Sequence, residues 1–113
     1  MYMDTYIYNA HVTSVYDGDT ITCNITCGFG VELKKQKIRL FGLNTPEVRG
    51  ESREEGLISR DKLRERILDK DIQLKTIKDK KGKYGRYLGV IYLGDENINE
   101  WLIDSGLAVV ANY

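Results

Sequence analysis

Three short clusters in this chain carry side chains able to do chemistry on a phosphate ester. The first is Asp17-Gly18-Asp19-Thr20, the second runs Arg39-Leu40-Phe41-Gly42-Leu43-Asn44-Thr45-Pro46-Glu47, and the third is Lys83-Tyr84-Gly85-Arg86. Each has an ordinary explanation when taken alone. A turn aspartate usually serves the turn. Arg39 reads as a solvated strand residue, and Pro46 biases Thr45 toward extended backbone at a loop entry. The third cluster reads as a basic turn. Together they hold more. A hard cation such as calcium takes carboxylates, backbone carbonyls and waters. The planar fork of arginine matches phosphate oxygens. A carboxylate beside an attacking water removes or orients its proton. Charge building on a five-coordinate phosphorus is met by cations fixed in advance. Lys75, Lys78, Lys80, Lys81, Lys83 and Arg86 add a concentration of positive charge, opposed there by Asp79.

The elements that must position these clusters follow from local pattern. Residues 5–16 mix β-branched and aromatic side chains and read as a strand. Residues 19–27 alternate, with Ile21, Cys23 and Ile25 on one face. Asp17-Gly18 is the signal of a two-residue hairpin turn, and Gly28-Phe29-Gly30 makes the next turn. Residues 31–43 form a third strand, bent at Gly42. Residues 52–69 are charge-rich, with Leu63, Ile67 and Leu68 at helical spacing. Ser52 followed by Glu55 is a capping-box pattern. Residues 72–77 and 87–93 are strands again, separated by a Lys/Gly-rich loop at 78–86. A short helix covers 98–105, with Asn97 and Glu100 as its capping pair and Gly106 as its stop. The order βββ-α-ββ-α predicts one mainly β (α+β) domain over residues 1–113, a five-stranded Greek-key barrel of the OB type with two helices. A two-layer α+β sandwich is the other arrangement that this order allows.

The arithmetic of the whole chain suits one such domain. At 113 residues a chain buries roughly 60–70% of the surface its unfolded form exposes, enough for a core without disulfides or a structural metal. The 17 Lys+Arg and 17 Asp+Glu cancel, which excludes binding by bulk charge but leaves room for a local basic groove. No apolar run approaches the roughly 20 residues of a membrane helix, so no membrane partner is expected, and no obligate protein partner is evident. Met1-Tyr2-Met3-Asp4 lacks the basic and apolar regions of a signal peptide, so a cytoplasmic location is expected unless a leader was removed. Cys23 and Cys27 fall about 13 Å apart on a straight strand, beyond the ~7 Å a disulfide spans. They are expected as free thiols, in keeping with a reducing compartment. One histidine and no CxxC argue against zinc.

With Asn99-Glu100 and Gly106-Leu107-Ala108 following in order, the three clusters are specific as a set. From about Val12 to Ala111 the chain resembles the staphylococcal nuclease (thermonuclease) family. The resemblance implies an OB barrel with helices and one calcium ion. It implies that Asp19 ligates the calcium, that Thr45 gives it a backbone carbonyl, and that Asn44 stands at the second metal-binding position. Arg39 matches the arginine on the scissile phosphate, and Arg86 the second arginine, near the leaving oxygen. Glu47 matches the general base or positioner of the water. Lys83 and Tyr84 match the pair that holds the terminal phosphate of a bound nucleotide. The implied activity is calcium-dependent hydrolysis of DNA and RNA phosphodiesters, at single-stranded or open regions, leaving 3′-phosphate products.

Two departures from the family pattern have consequences. Asn44 replaces an aspartate; its amide oxygen can ligate calcium but brings no charge, so weaker affinity or a shifted ion is expected. The aromatic that follows the Gly-Leu-Ala segment in the family falls on Asn112, and Tyr113, one position later, would face the other side of an extended strand. The sequence stops where the staphylococcal enzyme continues into another helix, so part of the barrel surface is expected bare or covered by a partner. Arg39, Glu47 and Arg86 are all expected to face a solvated site, so their loss should cost rate rather than folding. A catalytically silent nucleic-acid-binding OB domain is the competing reading. A protein-interaction module built on Tyr2, Tyr6 and Tyr8 is a third. The presence of both arginines, Asp19 and Glu47 favours the enzyme.

Overall fold

Alternating side chains turn the first forty residues into a continuous β-surface. Strands β1 (Thr5–Asp17), β2 (Thr20–Gly28) and β3 (Val31–Leu40) form an antiparallel meander. The computed structural model describes residues 5–81 and 85–111, with residues 5 and 78–81 described by backbone only. Ile21, Cys23 and Ile25 turn inward together, and none is more than 4% exposed. Both cysteines are free. Desolvation pushes the buried Cys23 thiol up to about 12, so it behaves as an inert apolar group. The first turn falls one residue later than its Asp-Gly signal suggests. Gly18 and Asp19 make the turn, and Asp17 pairs with Thr20. The Asp17 carboxylate accepts the Asp19 backbone N–H at 3.0 Å, an Asx turn.

The expected third strand is cut in two. β3 ends at Leu40, the chain turns through Phe41 and Gly42, and β4 (Leu43–Asn44) finds a different partner in β8 (Val109–Val110). After a 3-10 turn at Gly50–Ser52 comes α1 (Arg53–Ile67), whose buried stripe is Gly56, Ser59, Leu63 and Ile67. Leu68 sits at the C-cap rather than on that stripe. Ser52 makes no side-chain cap bond; its hydroxyl donates to the Glu47 carbonyl at 3.2 Å instead. β5 (Asp71–Lys81) extends into the expected loop and is followed by β6 (Tyr87–Leu93), β7 (Glu96–Asn97) and α2 (Ile98–Asp104). The Asn97 cap forms as expected, its side chain accepting the Glu100 N–H at 3.0 Å, and α2 ends before Gly106.

β1 pairs with β5 through its first half and with β2 through its second. β6 pairs with β5 and then closes on β3 in parallel, with Arg39 opposite Leu88. The five long strands thus form a closed barrel carrying two helices, the OB arrangement rather than the sandwich. No described helix is long and apolar enough to cross a membrane. Leu63 and Ile67 of α1 and Ile98 and Leu102 of α2 plug the barrel interior against Leu40, Leu74 and Ile91.

One polar side chain sits inside this core. Asn99 accepts the Ile91 N–H at 3.1 Å and donates to the carbonyls of Phe41 and Gly89 at 3.0 and 3.2 Å. It ties α2 to β6 and to the corner after β3. Asn99→Ala takes this partner from the Ile91 N–H and the Phe41 carbonyl, while the Gly89 carbonyl keeps the Phe41 N–H at 2.8 Å, and each buried group left unsatisfied costs about 1–3 kcal/mol. A loss of about 2–4 kcal/mol in urea unfolding is expected. A loss under about 1 kcal/mol would mean the network holds nothing together.

Candidate active site

The outward face of β3 presents Arg39 opposite Thr20, yet its side chain is only 10% exposed. Its Nη2 lies 3.3 Å from Asp19 Oδ2 and donates to Asn44 Oδ1 at 2.6 Å. Its Nη1 donates to the carbonyls of Leu40 and Leu43 at 2.9 and 3.1 Å. Asp19 is as buried as Arg39. Its Oδ2 accepts the Thr45 backbone N–H at 3.1 Å, and its Oδ1 accepts the Thr20 hydroxyl at 3.1 Å. Asp19, Arg39, Asn44 and Thr45 therefore meet, as their motifs suggest. The expectation of a solvated Arg39 is corrected. The chain reverses after β3, and the guanidinium satisfies carbonyls at that corner while neutralising Asp19.

Close backbone approach makes the meeting possible. A Cβ on Gly18 would stand 2.7 Å from Thr45 Cγ2, so glycine lets the turn press on the Thr45 loop. The Thr45 hydroxyl oxygen is buried with no hydrogen-bond partner among the described residues. Beyond Pro46, the Glu47 side chain is exposed while its carbonyl is clamped by Ser52 and by α1. A Cβ on Gly56 would lie 2.1 Å from that oxygen. Arg86, half-buried, donates from Nη1 toward the Thr20 hydroxyl at 3.5 Å. Glu47 and Arg86 share a groove of about 660 Å³ that also takes in Asp17 and Thr20. Lys83, Tyr84 and the terminal Asn112 and Tyr113 lie outside the described residues, as do the side chains of Lys78, Lys80 and Lys81.

Asp17 belongs to this site although its turn signal had absorbed it. Burial, a shared hydrogen bond with the Asp19 side chain and repulsion from that carboxylate raise it from 3.8 to about 7. The Asp19 backbone N–H and Arg39 only partly offset this. The recognisable signal was two carboxylates spaced i, i+2 across a glycine. No group of three or more His, Cys, Asp or Glu gathers among the described residues. The donors here are two carboxylates with amide, hydroxyl and backbone oxygens. That set suits a hard cation rather than zinc. A carboxylate pair short of positive charge and an unpartnered buried hydroxyl fit such an ion, whereas the Asn44 oxygen is already engaged by Arg39.

Two outcomes follow for stability. Arg39→Ala removes the counter-charge from buried Asp19, and breaking a buried pair costs about 3–5 kcal/mol; denaturant unfolding should show it, and an unchanged midpoint would restore the solvated picture. Between pH 4 and 7 the folded chain keeps an Asp17 proton that the unfolded chain releases. That contribution is complete below about pH 3.8 and is lost as pH rises through about 7. In chelator, Asp17→Asn should therefore flatten the decline of stability from pH 4 to 7. Parallel profiles for the two proteins would count against the shifted carboxyl.

The chain is similar to known proteins. A family model described as staphylococcal nuclease homologue matches residues 37–113. The thermonuclease of Staphylococcus hyicus is 32% identical over 100 residues, covering 86% of this chain and 56% of that protein. The thermonuclease of Staphylococcus intermedius is 30% identical over the same shares. A Haemophilus influenzae protein named as an uncharacterized endonuclease is 33% identical over 97 residues, 86% of this chain and 49% of its own length. The chain spans about half the length of these curated relatives. With a barrel of matching class and the motif residues gathered at one site, the chain belongs to the staphylococcal nuclease homologue family.

Proposed function

We propose that this chain is a nuclease that hydrolyses phosphodiester bonds of DNA and RNA. In this reading it prefers single-stranded or open regions, works with one calcium ion and leaves 3′-phosphate products. The observation that carries the reading is the placement of the Asp19–Arg39–Thr45 cluster beside a groove holding both the Glu47 carboxylate and Arg86. Relatives named thermonuclease and endonuclease support it.

Asp19, the Thr45 carbonyl and Asn44 would hold the ion, with Asp17 adding negative charge. When bound, the ion supplies Lewis-acid polarisation and charge neutralisation at a phosphoryl oxygen. Glu47, exposed and fixed through its clamped carbonyl, takes or orients the proton of the attacking water. Arg86 donates to a phosphate oxygen from the far side of Thr20, and Lys83 and Tyr84 would hold a terminal phosphate. Asn44 contributes no charge, so the carboxylates at positions 17 and 19 carry the attraction to the cation.

One observation favours the silent binding domain. The terminal nitrogens of Arg39 already serve oxygens of Asp19, Asn44, Leu40 and Leu43. A phosphate gripped through those terminal nitrogens would displace one of these oxygens.

Release of short nucleotides from denatured DNA and from RNA separates the readings. Cleavage is expected with calcium and should be abolished by a chelator. Glu47→Gln should slow it by about 10²–10⁴-fold with unchanged circular dichroism, since the side chain is exposed. Equal rates with and without chelator would remove the ion. Tight binding without cleavage would establish the binding domain.

A further inference from the structure

The groove does not end at the reacting groups. It continues along the solvent face of the meander, where it is lined by Ser14 and Tyr16 of β1, Thr22 of β2, Lys37 of β3 and Arg49. Register puts Ser14, Thr22 and Lys37 on one surface. Ser14 pairs with Thr22, and Thr22 with Lys37. Their chain neighbours Val15, Ile21 and Ile38 are in the core, so these side chains point outward. Lys37 and Arg39 share a face two residues apart, about 7 Å along the strand. That suits consecutive phosphates of an extended chain. Tyr16, at the β1–β2 bulge between Val15 and Asp17, is 56% exposed and lines the same groove, with no ring partner among the described residues. It lies next to Asp17 and therefore next to the reaction centre.

Resting on the nuclease reading, we propose that this extension is a second nucleotide subsite for the substrate strand. Tyr16 stacks on a base, and Lys37 and Arg49 pair with the phosphate beyond the scissile one. Ser14 and Thr22 offer hydroxyls to the sugar–phosphate backbone. The charge fits a polyanion: Lys37, Arg49 and Arg86 contribute three cations to the groove, while its carboxylates, Asp17 and Glu47, lie at the reacting end. The occupant is single-stranded nucleic acid because stacking on an isolated exposed ring needs an unpaired base. Every base has a π-face, so the subsite tolerates any sequence.

Titration of a fluorescent ten-nucleotide single strand, in chelator so that it stays intact, tests the subsite without turnover. Base–aromatic stacking of the usual strength predicts about 5- to 150-fold weaker binding for Tyr16→Ala. Tyr16→Phe should restore it. The Tyr16→Ala effect should vanish on a strand abasic throughout. Lys37→Gln should reduce the slope of log affinity against log salt by about 0.7. In cleavage assays with calcium, Tyr16→Ala should raise KM for the ten-nucleotide strand and leave kcat unchanged. Binding within twofold of the parent, failure of Tyr16→Phe to rescue, or an equal loss on the abasic strand would overturn the subsite. If the parent binds with these dependences but cleaves nothing, the nuclease reading falls and the subsite stands. If the parent cleaves and Tyr16→Ala alters neither affinity nor KM, the subsite falls and the nuclease reading stands.

Discussion

A buried guanidinium joins the parts of this protein that have to act together. Arg39 reaches Asp19 at the β1–β2 turn, Asn44 in β4, and the carbonyls of Leu40 and Leu43 at the corner between β3 and β4. Burying a charge is expensive unless it is paired and hydrogen-bonded. Here each terminal nitrogen has partners, so the cost is met by the same contacts that hold the site in shape. The consequence is rigidity. The Asp19 carboxylate cannot swing away without exposing Arg39 to unpaired burial, and the Thr45 backbone cannot leave without freeing Asp19.

Around that contact the fold divides the work. The barrel supplies the fixed wall, because Arg39 is on a strand paired on both sides, with Thr20 and Leu88. The loop from Asn44 to Glu47 brings the other site residues and is held at both ends. β4 is tied to β8 near the end of the described chain, and Ala111 donates to Gly42 at 2.9 Å. At the other end Ser52 and the glycine face of α1 press on the Glu47 carbonyl. A glycine inside a helix costs about 0.5–1 kcal/mol relative to alanine, and Gly56 is where that cost brings the helix against the loop.

The electrostatics of the site are unbalanced within a neutral chain. Asp17 and Asp19 crowd one end, strongly enough to push the Asp17 carboxyl to about 7. Arg49 and Lys37 line the groove beyond them, with Arg86 beside Thr20. Equal totals of acid and base thus conceal a local arrangement in which cations and carboxylates line one groove.

Much of this was legible in the sequence because it depends on neighbours along the chain. Alternation placed Ile21, Cys23 and Ile25 inward, and Asn97 capped α2, as local rules require. The strand and helix order followed from the same rules, while the β3–β6 pairing decided the barrel over the sandwich. The motif residues at positions 19, 39, 44 and 45 come together in the fold. Other features were decided in three dimensions. The pattern around Arg39 reads as solvated strand, and only the β4–β8 pairing folds a loop over it. Ser52 carries a capping pattern, but the Glu47 carbonyl comes within its reach and competes for the hydroxyl. Asp17 reads as a turn residue until burial and the Asp19 carboxylate act on it together. Tyr16 and Lys37 are unremarkable in sequence; strand register sets Lys37, and the β1–β2 bulge sets Tyr16, in the groove with Glu47 and Arg86. Local pattern determines which way a side chain points; what it meets there depends on segments that arrive from elsewhere in the chain.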